Sequence, residues 1–268
     1  GAITSVAAGT ITTNSFGNAA AGDVFIHQVS GNTNTITLTG AINAKGGATG
    51  TAGANSNGGA VTVWNEQGAI SLDGTINVSK DATSGSNDGT VALKATGNIA
   101  DTTLANLIGD TNGSLKAWST GGKIVLTQGA TVAGTGAGQL GNAGVGHQMN
   151  TVAAKTDTAA GTDGSITYLD RTALTVGTVA VGAATPVSST NANPSNVAAV
   201  TGITTVAGTS NGDVKVRAGT GNNVLNVNQA IVTTSGTTDV ASGAVVLEAG
   251  GAITSVAAGT ITTNSFGN

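Results

Sequence analysis

Few side chains in this sequence are equipped for chemistry: two tryptophans, two histidines, thirteen acidic and nine basic residues, and no cysteine among 268 positions. Their spacing decides what kind. Counting five residues on from a glycine that recurs along the chain gives His27, Trp64, Lys94, Trp118, Leu169, Arg217 and Glu248. If the glycine-led segments stack, this column places both indoles on one face, two layers or about 10 Å apart. An exposed indole offers an apolar plate to a sugar ring, and aromatic and arginine side chains anchor interfaces. Trp64, Trp118, His27, Lys94 and Arg217 are therefore the candidate glycan-binding or lateral-packing face. The structural alternative is that each tryptophan is local cover beneath an insertion.

Other chemistries find less to stand on. Glycoside cleavage needs paired carboxylates, whereas the acids here are scattered, mostly at expected turns: Asp73, Asp81, Asp88, Asp101 and Asp110. Asp23 and Asp213 share the position after the recurring glycine but fall in well-separated units. Asp170 beside Arg171 reads as a surface ion pair, and His27 and His147 have no evident partner. No catalytic residue, metal ligand or cofactor is assigned, and the chain is not expected to be an enzyme. Without cysteine there are no disulfides and no thiolate metal sites. No EF-hand loop or glycine-rich calcium-binding nonapeptide occurs. The dispersed basic residues and a pI near 4.8 argue against nucleic acid as a partner. Threonines cluster in GTITTNSF and NTITLTG but do not recur at one column, so a flat ice-binding face is not expected.

The elements that must position these residues follow from composition and repeats. Glycine occurs 43 times, aromatics make up 2% and charged residues 8%, while hydrophobic residues reach 39%, the larger aliphatics among them being mostly β-branched. Disordered chains combine low hydrophobicity with high net charge. This one, at a net charge of −4, reads instead as a folded β-rich chain with many tight turns. A degenerate unit, glycine followed by two alternating aliphatic positions, begins at Gly22, Gly59, Gly89, Gly113, Gly164, Gly212 and Gly243. The unit at Gly59 continues as AVTVWNEQ, GAISLDG and TINVSK, that at Gly89 as TVALKAT, GNIADTT and LANLIG, and that at Gly243 as AVVLEA, GAITSV and GTITTNSF. Three short alternating segments per unit, punctuated by Gly and Asn, predict three strands per coil of a solenoid. Two interior columns are expected: Val24, Val61, Val91, Leu115, Ile166, Val214 and Val245, and Ile26, Val63, Leu93, Ala117, Tyr168, Val216 and Leu247.

A longer repeat encloses the short one. Residues 1–18 and 251–268 both read GAITSVAAGTITTNSFGN. The chain thus spans one 250-residue period with an 18-residue overlap, expected to form one continuous β-helix over 1–268 with structurally equivalent ends. Gly- and Ala-rich stretches at 45–58, 129–163 and 183–196 are expected to be insertions at its corners. No segment has the helical periodicity or the apolar length of a membrane span, and no leader is evident.

GTVALKATGNIADTTL and GAVVLEAGGAITSVAAGTITTNSF resemble the filamentous-haemagglutinin type of repeat in large secreted bacterial adhesins, and are similar to the passenger stalks of autotransporters. The resemblance covers most of the chain as a degenerate pattern, and the long identical repeat departs from the short, divergent repeats usual there. It implies an all-β, right-handed parallel β-helix at the cell surface or in a secreted filament. The expected role is a structural element of a filament, sheath or adhesin stalk. Its expected partners are neighbouring copies end to end, with lateral self-association or a glycan as further candidates and no membrane insertion. The alternative function is an adhesin module binding a glycan or host surface through the Trp face or the insertions.

Overall fold

A computed structural model describes residues 1–47, 55–80, 86–102, 105–109, 112–128, 146–157, 163–180, 198–207, 212–235 and 242–264. Among these residues every regular element is a strand, and no helix is long and apolar enough to cross a membrane. All strand pairs but one are parallel, and they stack into long sheets, the architecture of a β-helix or solenoid.

From Thr4 to Ser119 the chain passes through three sheets in turn. An eight-stranded sheet runs from Thr4–Ser5 through Ile36–Leu38, Ile70–Leu72, Ile99–Asp101, Ile124–Leu126, Ile166–Leu169 and Val214–Arg217 to Val245–Glu248. A four-stranded sheet stacks Ile11–Thr12, Ile42–Asn43, Thr75–Asn77 and Asn106–Ile108. An eleven-stranded sheet begins with Val24–Gln28, Val61–Asn65, Thr90–Ala95, Ser114–Ser119 and Thr151–Asp157.

Thr151–Asp157 forks the largest sheet. Seven residues long, it pairs through Thr151 and Val152 with Leu174–Val176, and through Ala154 to Asp157 with Ile203–Ala207. One branch continues through Leu225–Val227 to Ile253–Ser255, the other through Ile231–Ser235 to Ile261–Asn264. Between the branch strands the chain leaves as an antiparallel hairpin, Thr178–Val179 against Val200–Thr201. Val179 and Val200 close over Ala153 on the outer side of the sheet.

Alternation creates the interior. Ile36, Ile70, Ile99, Ile124, Ile166 and Val214 are register partners in the eight-stranded sheet, and each is almost fully buried. Val61, Val91, Leu115 and Val152 do the same in the eleven-stranded sheet. These columns belong to one aliphatic cluster. Burying a side chain of this size contributes about 1.5–3 kcal/mol, which is how such short strands hold together. The leading glycine is a packing requirement: a β-carbon at Gly89 would overlap the carbonyl oxygen of Gly59, and one at Gly59 that of Gly22.

Several expectations need correction. The two proposed columns are each split. The units at Gly22, Gly59, Gly89 and Gly113 supply strands of the eleven-stranded sheet, but those at Gly164, Gly212 and Gly243 supply strands of the eight-stranded one. The motif suits any face that turns its alternate residues inward, so it marks a strand without marking its sheet. The stretch 129–163 is not wholly an insertion, because it contains Thr151–Asp157; 129–145 and 158–162 lie outside the described residues, as do 183–196 and 48–54. The identical ends are not equivalent either. Thr4–Ser5 lies in the eight-stranded sheet, whereas Ile253–Ser255, which includes its copy, pairs with Leu225–Val227 in the eleven-stranded one.

Candidate functional site

His27, Trp64, Lys94 and Trp118 are register partners on the outer side of the eleven-stranded sheet, one strand after another. Alternation places them there: their neighbours Val63, Leu93 and Ala117 are interior. The His27 ring stacks on Trp64 at 4.2 Å between centroids and 11° between planes. The Lys94 ammonium lies 5.4 Å from the Trp64 ring and 4.3 Å from that of Trp118, and Lys155, the next partner in register, is 4.7 Å from Trp118. Each cation–π contact of this kind contributes about 0.5–2 kcal/mol.

Carboxylates flank the ladder. His27 Nε2 is 2.8 Å from Glu66 Oε1, and Glu66 Oε2 accepts the Ser30 N–H. Trp118 Nε1 donates to Asp157 Oδ2 at 2.7 Å, while Lys155 lies 3.0 Å from Asp157 Oδ1. Burial pushes the Lys94 pKa below its ordinary value, with Asp157 and Glu66 opposing the shift. Trp64 is only 7% exposed. Its flat surface is occupied by His27 and the neighbouring lysine, so it is not the open plate that sugar stacking requires. An open cleft of about 520 Å³ does adjoin the ladder, lined by Trp64, Glu66, Lys94, Thr96, Thr120 and Val29 among others.

Arg217 does not join this face. It belongs to the eight-stranded sheet, paired with Leu169 and Glu248, and is 5% exposed. The missing member is Lys155. Its strand, TVAAKT from Thr151, nearly repeats the TVALKA from Thr90, but Asn150 replaces the leading glycine. That likeness was the available signal. The hairpin closes the sheet beside the ladder, where Lys116 Nζ donates to the Ala180 carbonyl at 2.8 Å and burial lowers the Lys116 pKa to about 8.

A second polar group lies inside. Asp101 occupies the register position of Leu72, and its carboxylate, with no exposed surface, is 2.9 Å from Nε2 of the equally enclosed His147. No aligned hydrogen bond joins that nitrogen to the carboxylate, so the two are in close contact only. Asp101 also accepts the N–H groups of Thr127 and Gln128, and His147 Nδ1 accepts that of Leu107. Nearby, the Tyr168 hydroxyl and the Met149 N–H donate to Asp170 Oδ2, while Thr172 donates twice to Oδ1. Burial raises the Asp170 pKa against those hydrogen bonds, and raises that of Tyr168 further.

The expected Asp170–Arg171 surface pair is therefore an interior carboxylate, with Arg171 turned to Gln148. Both histidines have acidic partners after all, and Asp101 is a strand residue instead of a turn. His147 Nδ1 is engaged by the Leu107 N–H, and neither His147 nor Asp101 has exposed side-chain surface. The cluster joins neighbouring layers. Among the described residues no group of three or more His, Cys, Asp or Glu side chains could hold a metal ion.

Comparison with protein-family models, curated proteins and solved structures finds no match.

Proposed function

We propose that the chain is a structural element of an extracellular filament, sheath or adhesin stalk: a right-handed β-helix with three strands per coil, carried in a tandem array of 250-residue repeats. The resemblance to filamentous-haemagglutinin and autotransporter repeats supports the handedness and the surface location, as does the general right-handedness of parallel crossovers. The observation that carries the reading is the state of the two ends. Val6, Ile11, Ile253, Val256 and Ile261 are large exposed hydrophobics at the outermost strands of the stack. Ile11 continues the column of the buried Ile42, and Ile261 that of the buried Ile231. Strand edges left open in this way template further strands. In an array, every such edge is covered by the next copy.

The aromatic–cation ladder supports the same reading, since its rings and cations stack on one another. A second reading, a glycan-binding module, rests on the adjoining cleft beside Trp64 and Lys94. Electron microscopy of the chain at high concentration tests the first. Long thin fibres with an axial repeat of about 35 Å, as about seven coils of ~4.8 Å require, are the expected result. Discrete monomeric particles, together with glycan binding that Trp64→Ala abolishes, would overturn it in favour of the second.

A further inference from the structure

Resting on the array reading, we infer that the free edge of the last layer is the docking site for residues 22–43 of a following copy, which joins one face out of phase with the first. Residues 1–18 show what their sequence does to the strands that follow. Thr4 and Ser5 pair with Thr37 and Leu38, and Ile11 and Thr12 with Ile42 and Asn43. Ser5 Oγ accepts the N–H groups of Thr39 and Gly40, both at 2.9 Å, and Asn14 Oδ1 accepts that of Lys45 at 2.8 Å. Thr254, Ser255, Ile261 and Asn264 are the same residues one period later, all exposed at the open edge. They present the same acceptors and the same pairing edge, so they are matched to residues 36–45 of another copy in the register already seen, taking the place there of that copy's own residues 1–18.

The shift of face follows from where the second segment lies. Thr4–Ser5 begins the eight-stranded sheet, and that sheet's eighth strand, Val245–Glu248, is passed before the sequence recurs at Ile253–Ser255 in the next sheet along the chain. One period therefore advances seven layers and one further face. The strand that comes next, Val24–Gln28 of the following copy, is then laid on Val245–Glu248 in the eight-stranded sheet, with Val24 on Val245, Phe25 on Val246, Ile26 on Leu247 and His27 on Glu248. Alternation is preserved, because Val245 and Leu247 already pack on the core.

The corners are interchangeable too. The Thr13 hydroxyl donates to the Gly22 carbonyl between the four- and eleven-stranded sheets, just as Thr233 donates to Gly243 between the eleven- and eight-stranded ones. The contact is head-to-tail, the kind that builds open helical filaments. The aromatic–cation ladder would move by one face per repeat and return to its starting side after three.

The chain has no cysteine, so engineered pairs report the join. Opposed parallel strands lie about 4.8 Å apart, within the ~4.4–6.8 Å between α-carbons that a disulfide spans. Under mild oxidation, the 268-residue chain carrying Phe25→Cys and Val246→Cys should form disulfide-linked dimers and higher multiples that reduction collapses. The partnered change Thr4→Cys with Val246→Cys should not. His27→Cys with Glu248→Cys reads the same join should the first pair fail to fold. Cross-linking through Thr4→Cys overturns the shift of face and keeps the array. Cross-linking from no pair overturns the inference, and a monomer in sedimentation at high concentration in that case removes the array reading as well.

Discussion

Ile11 and Ile261 are the same residue of the same eighteen-residue segment. The first lies against Ile42 in the four-stranded sheet, the second against Ile231 in the eleven-stranded sheet. Thr4 and Thr254 differ in the same way, one paired with Thr37 and the other with Asn226. Local sequence is held constant in this comparison, so the difference must come from what each copy stacks on. An alternating strand offers a dry side and a wet side, and any layer with an aliphatic column can accept it. The segment specifies strand, corner and strand; the layer it stacks on specifies the sheet.

The largest effect that would sharpen this contrast comes from the supporting columns. Ile42→Ala and Ile231→Ala each empty a buried position and should cost about 2–5 kcal/mol in denaturant unfolding. Hydrogen exchange should separate them, with Ile42→Ala accelerating residues 11–13 and Ile231→Ala accelerating 261–263. Acceleration of both segments by either change would break the claim that they depend on different neighbours.

A smaller effect concerns side-chain acceptors. Ser5→Ala leaves two backbone N–H groups without their acceptor and should cost about 1–3 kcal/mol. Ser255→Ala, at the open edge, should leave the unfolding of the dilute chain unchanged and weaken fibre formation. Equal stability losses from the two would mean that both serines are already engaged alike.

The smallest effect lies between the segments, at the fork. A lysine whose folded-state pKa is lowered binds its proton less readily in the folded chain. Its contribution to stability is present above the unfolded value of 10.5 and is lost as pH falls through about 8. Stability should therefore rise across that window, and Lys116→Met should flatten the rise when unfolding is followed against pH. Exchange at 11–13 and at 261–263 should keep the same ratio throughout, since neither segment touches the fork.

Much of this was legible in advance. The segments read from Gly59, Gly89 and Gly243 correspond to described strands, because period-two alternation bounded by Gly or Asn reports local geometry directly. His27, Trp64, Lys94 and Trp118 could be aligned by counting, since each follows its glycine by the same interval in one sheet. Arg217 could not, because the same interval occurs in a different sheet. Thr151–Asp157 was hidden by Asn150 in the glycine's place, and with it Lys155, which completes the ladder. Asp101 looked like a turn residue. Only its register opposite Leu72, with His147 brought across from a later layer, shows why a carboxylate can occupy a position otherwise aliphatic.

What the sequence by itself determined is the strand-rich character, the aliphatic interior, the glycine-tight corners and the sharing of one segment by both ends. All of these are written in composition and short-range spacing. What only the tertiary structure decided is which sheet each strand enters, which polar residues are enclosed, and which sheets the two copies of the shared segment join. Those depend on layers tens of residues apart coming into register, and strands with the same alternation fit more than one face equally well.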